Sequence, residues 1–199
     1  MEKISDILNY GVKDIITLSD IQTQLEFNNL EVDFTIVSTR KYKHPDDIFS
    51  LTCYIASYQA SRGVEAQQIM LVVRQIEKDF DLRVYYLDSD GPSDNFEAIF
   101  EKDGNDLIDR FDVDLHFDSD TLPVTWDKQG QSTFGVECSA SESSDVLCKT
   151  IATYFTNDDT RGNPHCFIEW TGDKFGGYIE IWYGCEIQNT DIEMFHTKI

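Results

Sequence analysis

The sequence predicts an α+β fold, mostly antiparallel sheet with two principal helices packed on it. Three observations carry this expectation. Several runs alternate apolar and polar residues with the period of two that marks a half-buried strand. Two runs show apolar residues at helical spacing. Strand, helix and strand then follow one another at 48–87 and again at 132–170, without residue-level similarity between the two stretches. One domain over residues 1–199 is expected, with a lobe boundary near 88–95 as the alternative. At 199 residues the chain can bury one good-sized core or two small ones.

Residues 2–27 read as helical or mixed, with Ile4, Ile7, Leu8, Val12, Ile15 and Ile16 at helix-like spacing, weakened by Gly11. Leu30 to Val37 alternates as a strand, and Lys41 to Asp46 forms a polar turn. Ile48 to Tyr58 is more continuously apolar, as in a central strand. Residues 63–80 make the clearest helix, striped by Ile69, Val72, Val73, Ile76 and Phe80. Leu82 to Leu87 is a short strand and Asp88 to Asp94 a loop. Leu122 to Gln131, which contains Pro123, reads as a connector. Ser141 or Ser143 caps a second helix with Leu147, Ile151, Tyr154 and Phe155 on its apolar face. Cys166–Trp170 and Tyr178–Tyr183 are strands of a hairpin.

Between these elements lies the run 111–120, Phe-Asp-Val-Asp-Leu-His-Phe-Asp-Ser-Asp. Read as one strand, it turns Phe111, Val113, Leu115 and Phe117 toward a core. It sets Asp112, Asp114, His116, Asp118 and Asp120 in a single row. Neighbours in such a row stand about 6.6–6.8 Å apart, of the order of the phosphate spacing in nucleic acid. Asp103, Asp106 and Asp109 add charge just before it.

The net charge is −21, from 37 acidic and 16 basic residues. It argues against direct contact with nucleic acid or an anionic membrane and favours a basic protein partner. The charge is concentrated: Glu77 to Asp120 holds 15 acidic and 4 basic residues, net −11 in 44 positions. The five cysteines are odd in number and lack C-x-x-C spacing, which suits reduced thiols in a cytoplasmic protein. No targeting segment or membrane span is read from the sequence, and no motif calls for a cofactor.

Enzymatic chemistry has weaker signals. Asp112, Asp114 and His116 share a strand face and form the alternative, a divalent-metal site for a phosphoryl-transfer or nuclease-like enzyme. No glycine-rich phosphate loop accompanies them. Asp88 to Glu97 misses the calcium-loop frame, because glycine comes at its fourth position and proline follows. His165 and Cys166 are adjacent on a strand and point to opposite faces, so they do not pair. Trp126, Trp170 and Trp182 have acidic neighbours, which suits packing better than base stacking.

The expected function is that of a non-enzymatic acidic inhibitor. It would block a basic nucleic-acid-binding protein or nuclease, in the manner of a DNA mimic. Asp103, Asp106, Asp109, Asp112, Asp114, Asp118 and Asp120 are the expected partner-binding residues. In composition the chain resembles phage anti-restriction and anti-CRISPR decoys and toxin-immunity proteins. A structural subunit of a larger complex is the remaining alternative.

Overall fold

The computed structural model describes residues 4–18, 32–43, 48–58, 67–92, 95, 110–117, 120–128, 135–136, 149–156, 165–173, 176–188 and 190–197. In chain order these form α1 (Ile4–Ile7), β1 (Ile15–Leu18), β2 (Val32–Lys43), β3 (Ser50–Tyr58), β4 (Gln67–Ile76) and β5 (Asp79–Pro92). There follow β6 (Arg110–Phe117), β7 (Asp120–Lys128), β8 (Gly135–Val136), β9 (Lys149–Thr156), β10 (His165–Asp173), β11 (Gly176–Ile187) and β12 (Ile192–Phe195). All pairings are antiparallel, in the order β12-β1-β2-β3-β4-β5-β11-β10-β9-β7-β6, with β8 on β2.

The α+β expectation is therefore corrected. The described residues are nearly all antiparallel strand, α1 is a single turn, and neither principal helix is present among them. Over 67–80 the expected helix is β4, a two-residue turn and the start of β5, and residues 63–66 lie outside the described residues. The reason is burial on both faces. Ile69, Leu71 and Val73 enter one core, while Met70 and Val72 enter another. A strand covered on both sides loses its period of two, and its continuous apolar run also satisfies a helical stripe. The second helix is corrected likewise: 149–156 is β9, and residues 141–148 lie outside the described residues. Lys41–Lys43 and Asp88–Pro92 continue strands instead of forming loops, and the connector at Leu122 is β7.

Two cores share a wall made of β2–β5 and β11. The first gathers Ile7, Ile16, Phe34, Tyr54, Leu71, Val84, Ile187 and Met194. Ile187 ends β11 and Ile192 opens β12, so the two ends of this run of strands meet across one turn and the sheet curls round the core. Asp191 holds that turn: its carboxylate accepts the Gln188 N–H at 2.8 Å. The single turn of α1 is tied in by the buried Tyr54 hydroxyl, which donates to the Ile7 carbonyl at 2.8 Å.

The second core lies on the other side of the shared wall. It contains Tyr42, Cys53, Met70, Tyr85, Phe167 and Trp182. A bulge in β2 makes it possible. Ile36 pairs with Ala56 and Ser38 with Ile55, so Val37 is the extra residue. Even-numbered residues before it, Phe34 and Ile36, enter the first core, and Tyr42 beyond it enters the second. One added residue reverses strand parity. Val37 itself is exposed.

Candidate functional site

The acidic strand is β6, and it ends the strand order. It pairs with β7 along its whole length, from Arg110↔Asp127 to Phe117↔Asp120. In turn β7 meets β9, among the described residues, at Asp127↔Thr156 and Lys128↔Phe155. Strands β6 and β7 thus form a ribbon attached to the sheet at one end. Its register sorts the residues cleanly. Phe111↔Trp126, Val113↔Val124 and Leu115↔Leu122 fall on one parity, and Asp112↔Thr125, Asp114↔Pro123 and His116↔Thr121 on the other.

This register takes Asp120 out of the row of acids read from the sequence. The strand stops at Phe117, and Asp120 begins the return strand opposite Phe117, on the apolar parity. Asp112, Asp114 and His116 keep a common parity in β6, and Asp103, Asp106, Asp109 and Asp118 lie outside the described residues. Among the described residues, Asp112 and Asp114 therefore share one parity of the ribbon and Asp120 falls on the other.

A second acidic row, not anticipated from the sequence, crosses the sheet on the same face as the second core. Asp90 of β5, Glu180 of β11 and Glu169 of β10 are successive register partners. Like charges directly opposite one another repel. Arg40, delivered to this face by the β2 bulge, bridges two of them: its guanidinium donates to Glu169 at 2.6 Å and to Glu180 at 2.5 Å. Glu169 is buried, and burial raises its carboxyl above the ordinary range although Arg40 opposes the shift. Burial disfavours the Arg40 charge as well, but the Glu180 hydrogen bond and both carboxylates outweigh it and hold the guanidinium protonated. Asp90 accepts a hydrogen bond from the Tyr178 hydroxyl. The one sequence signal for this cluster was a carboxylate inside the apolar run Cys166–Trp170. Its partner is 129 residues away in the chain.

Burial, together with the neighbouring Glu169 carboxylate, raises the Cys53 thiol well above its ordinary value, which suits a packed thiol and not a nucleophile. Cys53, Cys166 and Cys185 are free, and Cys138 and Cys148 lie outside the described residues. Trp182 is buried in the second core.

At the other end of the sheet, Asp14 joins the chain termini. Its carboxylate accepts from the Gly11 and Thr197 N–H groups at 2.9 and 3.0 Å and meets His196 Nδ1 at 3.1 Å. Burial would raise its carboxyl, but these contacts outweigh burial and lower it. The His196 ring stacks on Tyr10 with centroids 4.3 Å apart.

Among the described residues no three His, Cys, Asp or Glu side chains gather as a metal-holding group. Among them, too, no helix is long and apolar enough to cross a membrane. No family model, curated protein or solved structure matches the chain.

Proposed function

We propose that this protein is a non-enzymatic acidic binding protein that covers the nucleic-acid-binding surface of a basic partner, with the β6–β7 ribbon as the element that meets it. One observation carries this reading: among the described residues the alternating acidic strand lies at the end of the strand order, on a ribbon joined to β9 by two register pairs. Individual exposed ion pairs contribute only about 0–1 kcal/mol. A chain of net charge −21 nevertheless generates a long-range field, and such fields raise association rates by roughly 10–10³-fold at low salt. Charge therefore supplies fast encounter, and apolar and aromatic contacts beside the acidic row supply residence time.

The test begins with capture from lysate by the wild-type protein and identification of the bound protein by mass spectrometry. Association kinetics follow, for wild type and Asp112→Asn/Asp114→Asn, at low and high salt. The reading expects a basic nucleic-acid-binding protein that releases its nucleic acid when this protein is added. It also expects an association rate that falls roughly 3- to 10-fold in the double variant at low salt, with a flatter salt dependence. Equal rates for the two proteins would remove the ribbon from the contact.

A further inference from the structure

The edge of β6 away from β7 offers more than charge. In an antiparallel pair, opposite residues alternate between those that exchange two N–H···O bonds and those whose N–H and C=O turn away from the partner strand. Asp114 lies opposite Pro123. Proline has no N–H, so this pair cannot be an exchanging one. Val113↔Val124 and Leu115↔Leu122 then exchange the bonds. The backbone groups of Asp112, Asp114 and His116 leave β6 on the side away from β7. Among the described residues no strand pairs that side. The same phase puts Pro123 on the outer side of β7, where it offers no donor and blunts that edge.

We infer that β6 accepts an extended, basic segment of the partner as an added strand, hydrogen-bonded to the backbone of Asp112, Asp114 and His116. This inference rests on the acidic-surface reading above and specifies how the ribbon holds its partner. Charge selects the occupant. A second copy pairing through β6 brings acidic strands together, which like-charge repulsion opposes. An extended segment with Lys or Arg at every second residue places cations opposite Asp112 and Asp114, while its main chain completes the ladder. Acidic residues on an edge strand thus deter self-association and admit a basic strand.

The probe is the capped peptide Lys-Val-Lys-Val-Lys-Val-Lys, compared with two isomers of equal charge. One isomer is N-methylated at the inner lysines, whose N–H groups face β6 in the expected register. The other carries the same number of methyl groups on valines, whose N–H groups face away. Binding to the full chain is measured by fluorescence anisotropy, with amide exchange at Asp112, Asp114 and His116. Strand addition expects the valine-methylated isomer to bind like the parent and protect those three amides. The lysine-methylated isomer should bind at least about tenfold more weakly, as loss of two hydrogen bonds requires. Equal binding of the two isomers, or binding of neither, overturns strand addition. The association-rate comparison above decides the acidic-surface reading separately, because it does not depend on backbone pairing.

Discussion

Arg40 balances two carboxylates that strand register sets side by side, and one of them is buried. Removing one partner of a buried ion pair leaves an uncompensated charge, at a cost of about 3–5 kcal/mol. Arg40→Met should fall near the lower end, about 3 kcal/mol in urea denaturation, because Arg40 keeps 30% side-chain exposure. The pH dependence has a definite sign. A carboxyl raised in the folded state binds its proton more tightly there than in the unfolded chain, so stability falls as pH rises through the interval above its ordinary value of 4.5. Without Arg40 that interval extends upward, and the loss should be larger at pH 8 than at pH 5. Adding Glu169→Gln should recover much of it. Gly184 presents a different constraint. A Cβ there would come within 1.9 Å of the Val84 carbonyl oxygen, and backbone cannot yield as a side-chain end can. Gly184→Ala should cost about 1–3 kcal/mol, read as a lowered urea midpoint. Glu169 was visible in the sequence only as an acid in an apolar run, and nothing in the sequence singled out Arg40. Their meeting depends on the sheet folding back over itself.

The strands β2, β3 and the C-terminal hairpin were legible as elements because alternation, or a β-rich apolar run, marked them. The β4–β5 hairpin was not. Its turn is Glu77-Lys78, with Glu77 at φ 53°, a left-handed position that glycine or asparagine usually announces. With no turn signal and a run buried on both faces, helical spacing became the stronger pattern. The β2 bulge was equally silent, since Val37 is an ordinary strand residue. Its role is positional, and this separates two experiments. Val37→Ala, at an exposed site, should change stability by less than about 0.5 kcal/mol. Deletion of Val37 removes the parity change and turns Arg40 and Tyr42 away from the second core, or else misdirects Phe34 and Ile36. Loss of cooperative unfolding and of the near-UV circular dichroism signal is expected for the deletion. A deletion variant as stable as wild type would show that the register adjusts elsewhere.

Across the whole molecule the net charge of −21 acts on folding as well as on partners. Self-repulsion destabilises the compact state. Raising ionic strength from about 0.01 M to about 0.1 M shortens the screening length from about 30 Å to about 10 Å. The melting temperature should rise over this range by at least about 2 °C, the equivalent of about 1 kcal/mol for a chain of this size. A flat or falling melting temperature would mean that local ion pairs such as Arg40–Glu169 dominate the electrostatics. The same salt series should weaken partner binding, so stability and affinity are expected to move in opposite directions.

Composition and local pattern alone determined the acidic character, the alternating strand at β6 and its apolar opposite parity, because these depend on nearest neighbours in the chain. They also marked the strand character of β2, β3 and β11. Only the tertiary structure decided that 67–76 is a strand between two cores, that Asp120 leaves the acidic row, that β6 ends the sheet and that Arg40 meets Glu169. Each of these depends on register or on long-range pairing. A one-residue step in either reverses which face a side chain enters, and no local pattern in this chain records that step.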